Sequence, residues 1–203
     1  MRKLEVFFDC SSPWSYLAFH NIQPMAAELA VPVTWRPILV GGVFNAVNPN
    51  VYNSRDTPVP AKKAYSAKDL QDWARYSGLN IIRPTVFPVN SVKAMRICCA
   101  LELAGDAKLE PFARACFAAY WGDDQDFSQV PVLHAACATA GLDADATLAA
   151  TDRQEVKDRL RNNTQELMDR GGYGSPTIFV NTTDMYFGND RIPLVRAALQ
   201  RAA

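Results

Sequence analysis

An α/β fold interrupted by a large all-helical insertion is what this chain predicts, and three observations carry the prediction. The first forty residues show a strand pattern, a helical pattern and a second strand pattern. About a hundred residues of helical periodicity follow with no strand among them. Two short apolar runs separated by turn residues, and one last helical stretch, close the chain.

From Lys3 to Asp9 an apolar run reads as a buried strand. Two serines and Pro13 follow, and a helical pattern extends to about Ala30. Ser11 or Ser12 suits the N-cap and Pro13 the first turn. Unpartnered N–H groups at such a junction attract an anion. Pro24 is expected to kink this helix or to end its first segment, since it removes a hydrogen bond and crowds the preceding turn. Pro32 to Leu39 is the second strand, marked by Val33, Trp35 and Ile38. Strand, helix and strand form a right-handed unit with parallel strands.

Gly41 to Pro60, rich in Gly, Asn, Pro and Ser, reads as a long loop, and long loops in compact domains are often functional. Helical patterns then run over Lys62–Tyr76, Ser91–Leu103, Leu109–Trp121, Val130–Ala140, Ala144–Ala150 and Gln154–Arg170. A turn-rich connection, Gly171 to Pro176, stops the last of these. Thr177 to Asn181 is a strand, Met185 to Phe187 its hairpin partner, and Gly188-Asn189-Asp190 caps a helix from Arg191 to about Arg201. The order β-α-β, helices, β-β-α is that of a thioredoxin-like fold. It assigns residues 1–60 and 172–203 to the thioredoxin-like domain and 61–171 to the helical insertion.

Composition narrows the function classes. With 203 residues, 49% of them apolar, the chain can bury a sizeable core. Lys plus Arg and Asp plus Glu number 21 each, which argues against nucleic acid or an anionic membrane surface as the partner. No apolar run reaches the length of a membrane span and no cleavable leader pattern opens the chain, so a cytoplasmic location is expected. The five cysteines show neither metal nor CxxC spacing, and with two histidines a histidine metal site or a Ser-His-Asp triad is poorly supplied. Cys98, Cys99 and Cys116 lie in apolar helical runs and read as buried thiols. Cys10, before the turn, is expected to point into the core.

Asp9-Cys10-Ser11-Ser12-Pro13-Trp14-Ser15-Tyr16 resembles the start of the 2-hydroxychromene-2-carboxylate isomerases, relatives of kappa-class glutathione transferases and, more distantly, of DsbA. Further matches are Arg36-Pro37-Ile38-Leu39 with Gly41-Gly42-Val43-Phe44, Pro60 to Tyr65 before Asp69-Leu70, and Phe87 to Ser91 leading to Ala94-Met95-Arg96. Near the end come Gly174-Ser175-Pro176-Thr177 and Phe187-Gly188-Asn189-Asp190-Arg191. The resemblance implies a glutathione-dependent isomerase of aromatic (naphthalene-type) catabolism. Such an enzyme converts the chromene carboxylate to trans-o-hydroxybenzylidenepyruvate through a glutathione thiolate adduct. A kappa-like transferase is the alternative, and a DsbA-like oxidoreductase or a non-catalytic thiol-peptide binder the next.

By the same resemblance Ser12 takes the place of the redox nucleophile and Ser15 that of its resolving partner. Two serines cannot form a disulfide, but a hydroxyl can donate to a thiolate. The resemblance implies that Ser12 is the catalytic residue and faces the sulfur of glutathione. Ser175 offers its backbone to the tripeptide before a cis Pro176, Asn189 and Asp190 receive the γ-glutamyl end, and Lys62, or its neighbour Lys63, pairs with the glycyl carboxylate. For the aromatic substrate the resemblance implies an asparagine of the 41–60 stretch. Asn45, Asn48, Asn50 and Asn53 are available and Asn53 is the one named, with Trp14 and Phe44 as aromatic walls. Family members are commonly homodimers.

Overall fold

The structure is a computed structural model that describes residues 2–201, the side chain of Arg55 excepted, so the expected domain ends at 1 and 202–203 lie outside it. Four strands form one mixed sheet in the order β2-β1-β3-β4. The strands are β1 (Leu4–Phe8), β2 (Val33–Pro37), β3 (Thr177–Val180) and β4 (Asp184–Phe187). β1 pairs parallel with β2, Leu4 opposite Val33, and antiparallel with β3, Leu4 opposite Val180. The two ends of the chain therefore meet along the central strand, as the element order requires.

The helix α1 (Pro13–Glu28) crosses from β1 to β2 and buries Leu17, Ala18, Phe19 and Ile22. It runs through Pro24 without ending there, which sets aside one of the two expected outcomes, the end of a first segment. The helix loses one backbone bond at that proline, but Met25 and Ala26 beside it are buried and the packing of this face outweighs the loss.

The second correction concerns the stretch expected to be a loop. It folds as two short helices, α2 (Val40–Val47) and α3 (Asn50–Asp56). Neither has a side-chain cap, so no start signal marks them in the sequence. Tertiary contacts hold α2 instead. The Val40 N–H donates to the carboxylate of Asp9 at 2.9 Å, and the Leu39 N–H to Thr164 Oγ1 at 3.0 Å.

The helical block follows: α4 (Pro60–Tyr76), α5 (Val92–Ala104), α6 (Leu109–Phe117), α7 (Val130–Thr139), α8 (Ala144–Ala150) and α9 (Gln154–Asp169). After α6 a wider, π-type turn (Ala118–Gly122) brings Trp121 Nε1 within 3.0 Å of the Cys10 carbonyl. The closing helix α10 (Ile192–Arg201) is entered through a 3₁₀ turn at Asn189–Arg191. One continuous apolar cluster joins Leu4, Val6 and Phe8 of the sheet to α1, α5, α6 and α7. On the opposite face Arg36 pairs with Glu102 and Glu166, and Arg170 with Glu5 and Glu166, tying β1 and β2 to α5 and α9.

Among the described residues no helix is long and apolar enough to cross a membrane, and no group of His, Cys, Asp and Glu is arranged to hold a metal ion. All five cysteines are buried free thiols. Cys10 is fully buried, and desolvation holds its thiol well above the usual range.

Candidate functional site: two cavities meeting at Ser12 and Ser175

The chain leaves β1 at Asp9 and turns into α1 with Ser12 as the N-cap. Its backbone is extended and its Oγ accepts the Ser15 N–H at 3.2 Å. The same hydroxyl donates to the Ser175 carbonyl at 3.1 Å. Ser15 Oγ and Ser175 Oγ lie 2.5 Å apart, and Ser175 Oγ also accepts the Asp9 N–H at 3.1 Å. The Ser175–Pro176 peptide is cis, as is Phe87–Pro88. Ser12, Ser15 and Ser175 are all buried. Pro13 has no N–H and Ser12 satisfies that of Ser15. The Trp14 N–H is left as a first-turn donor with no backbone partner among the described residues.

Asp9 holds the walls around this turn. One carboxylate oxygen accepts the Ser11 N–H at 2.9 Å, and the other accepts the Val40 N–H at 2.9 Å and the Ser91 hydroxyl at 3.1 Å. The side chain is fully buried, so desolvation raises its pKa above the ordinary aspartate range, with the three donors opposing that shift. No role was expected of Asp9, because two of its three partners, Val40 and Ser91, lie 31 and 82 residues away.

Two cavities open on the turn. The first, of about 720 Å³, has walls of Trp14, Phe44, Tyr52, Phe87, Tyr173 and Phe187, and its polar groups are Ser11, Ser12, Ser91, Ser175, Asn48 and Asn90. None of its described lining residues is charged. Phe44 and Tyr52 meet edge to face, ring centroids 6.3 Å apart. Of the four candidate asparagines it is Asn48 that lines the cavity, with its Nδ2 donating to the Tyr173 carbonyl at 3.2 Å. Asn53 is exposed on α3 and does not line it. Folding of the expected loop into two helices decides which asparagine turns inward.

The second cavity, of about 620 Å³, is lined by Tyr65, Asp69 and Trp73 from α4 and by Ser175, Pro176 and the run Phe187 to Arg191. Trp14, Ser175 and Phe187 belong to both cavities, so the two compartments meet beside the Ser12 hydroxyl. Asn189 is 2% exposed, its Oδ1 accepts from Asn21 at 2.9 Å, and its Nδ2 has no partner. Asp190 pairs with Arg191 at 3.1 Å. Gly188, at φ +102°, lets the chain pass Asp190: a Cβ there would stand 2.7 Å from its Oδ1. A buried unpaired amide beside two carboxylates and one guanidinium suits a zwitterionic ligand.

Lys62 and Lys63 are both exposed and neither lines either of these two cavities. Lys62 precedes Tyr65 and Asp69 by three and seven residues and so shares their helix face, which Lys63 does not. The walls missed from the sequence are Tyr52, Phe87, Tyr173, Phe187 and Trp73. Phe187 and Phe87 left a signal, each as the first residue of a matched stretch, Phe187 to Arg191 and Phe87 to Ser91.

Comparison with known proteins finds relatives that match along nearly the whole chain. The chain is 28% identical over 198 residues to a 2-hydroxychromene-2-carboxylate isomerase of Sphingobium xenophagum, covering 98% of each. To glutathione S-transferase kappa 2 of Caenorhabditis elegans it is 27% identical over 206 residues, 96% of this chain and 90% of the relative. A solved 2-hydroxychromene-2-carboxylate isomerase superposes with a TM-score of 0.84 at 24% identity, over 98% of this chain and 95% of that one, which shows the shared fold. Residues 3–200 match the DSBA-like thioredoxin domain, and the chain belongs to that family.

Proposed function

We propose that the protein is a glutathione-dependent isomerase of the 2-hydroxychromene-2-carboxylate type. One observation carries the reading. An aromatic-walled, uncharged cavity and a cleft suited to a zwitterion meet at Trp14, Ser175 and Phe187, beside a hydroxyl at the start of a helix. Relatives named as such isomerases support it at 27–28% identity, and relatives named kappa transferases support the glutathione half.

Glutathione fits the second cleft by chemistry. The orphan Asn189 amide and the α10 entry suit its γ-glutamyl carboxylate, Asp190 its ammonium, and Lys62 a carboxylate at the far end of α4. Bound there, glutathione supplies a sulfur nucleophile that adds to an alkene carbon and leaves again. Ser12 gives up its bond to the Ser175 carbonyl and donates to that sulfur, while the α1 N-terminus favours the ionised form by about 0.3–2 kcal/mol. That range spans roughly 0.2–1.5 pKa units, and its upper part moves a thiol toward ionisation near neutral pH. Trp14, Phe44 and Phe187 orient the aromatic ring and exclude water. Ser11, Asn48 and Asn90 offer neutral donors to its oxygens.

Two serines and five buried thiols give a DsbA-like redox cycle no disulfide to work with. The test is the rate on the chromene carboxylate with and without glutathione, with total free thiol followed through turnover. A glutathione-dependent rate at constant thiol is expected. Loss of thiol in step with turnover makes the protein a transferase, and a rate indifferent to glutathione overturns both readings.

A further inference from the structure

Leu39, Gly42 and Val92 line the aromatic cavity and also a separate groove of about 480 Å³ between α2, α5 and α9. Three cations border this groove, Arg96, Lys157 and Arg161, and no carboxylate is among its described lining residues. Lys157 stands 3.8 Å from Asp152 and Arg161 2.7 Å from Asp158, on the solvent side of α9. Arg96 differs from both. Its Nε is buried with no acceptor, and no described residue forms an ion pair with its guanidinium. A buried guanidinium nitrogen left without an acceptor is costly, and such atoms are paired in nearly all folded proteins.

We propose that this groove binds a small organic anion, a carboxylate on an apolar body, with Arg96 as its principal partner. Two of the three cations already face carboxylates, so the groove lacks about one negative charge rather than two. A planar guanidinium takes a carboxylate in two parallel bonds. Leu160 and Met168 of α9, with Leu39 and Val92, supply an apolar floor for the rest of the ligand. The assignment stands apart from the reaction at Ser12, because none of the residues around that hydroxyl lines the groove.

The experiment is a titration of the isotope-labelled full chain with benzoate, followed by amide shifts at Arg96 and Thr164. Benzyl alcohol and inorganic phosphate serve as the uncharged and the non-organic comparators. Saturable shifts with benzoate are expected, with weaker binding of both comparators. Arg96→Gln should weaken benzoate by about tenfold, the loss of a charge-assisted pair. If that variant fails to fold, the double variant Lys157→Gln/Arg161→Gln, on the solvent side of α9, should still weaken benzoate by about threefold. Unchanged affinity in the folded variants, or benzyl alcohol binding as tightly as benzoate, would overturn the anion site. Phosphate binding as tightly as benzoate would overturn its organic character.

Discussion

The Ser12 hydroxyl donates to the Ser175 carbonyl at 3.1 Å, across 163 positions of sequence. One proton therefore has two claimants, the carbonyl now and a ligand sulfur when one arrives. Ser12→Ala removes the donor and leaves the rest of the proposed glutathione cleft standing. Turnover should fall by roughly 10–100-fold, the loss of a hydrogen bond to a charged group, with glutathione affinity changed by less. Losing the N-cap should also cost ~0.5–2 kcal/mol of stability. Steady-state rates beside a calorimetric glutathione titration separate the two, and equal losses in both would reduce Ser12 to a binding group.

Asp190 is expected to behave in the opposite way. It is half exposed and already paired with Arg191, and in the proposed binding mode it would meet only the far end of the tripeptide. Asp190→Ala should weaken glutathione by about 3–10-fold while saturated turnover stays near that of the parent. Gly188→Ala tests the same corner through the backbone: a methyl at φ +102°, 2.7 Å from Asp190 Oδ1, should lower stability and glutathione affinity together. A thermal melt and a titration on one sample read both effects.

Asn48 and Asn53 provide an internal comparison. Asn48→Ala should raise KM for the aromatic substrate several-fold, because that side chain lines the cavity. Asn53→Ala, on the exposed side of α3, should leave KM within about twofold. The reverse ranking would show that α2 and α3 rearrange when substrate binds.

What the residues revealed in advance, and what they did not, divides along the distance over which each signal acts. Ser12 as a cap, Pro13 in the first turn and the Gly188–Asp190 entry to α10 were legible because each is a local backbone matter. Asn48 was not. Its orientation follows from helices that lack caps and are held by Asp9 and Thr164 from far along the chain. At Pro24 the expected end of the helix fails for the same reason: a local rule met a buried helix face.

Asp9 carries a pH signature. Its pKa is raised by burial, so between the ordinary aspartate value of about 3.9 and the raised folded value the native state holds more protons than the unfolded state. The stability it contributes is full below that window and declines as pH rises through it. Asp9→Asn should flatten this dependence in urea unfolding measured across a pH series. The variant should also lower stability where Asp9 is ionised, since the amide keeps one acceptor oxygen and turns an N–H toward the donors on the other side, either the Ser11 N–H or the Val40 N–H and Ser91 hydroxyl. An unchanged pH slope would mean that other carboxylates set it.

Pairing of β1 with β3 has a consequence for biosynthesis. Leu4 finds Val180 only after some 180 residues have been made, and Ser12 cannot meet Ser175 any earlier. A nascent chain can assemble the β1-α1-β2 unit and most of the helices while still tethered, yet it remains without a finished site until its last strands emerge. Every truncation before β3 should therefore yield a chain that can be helical and compact, and inert.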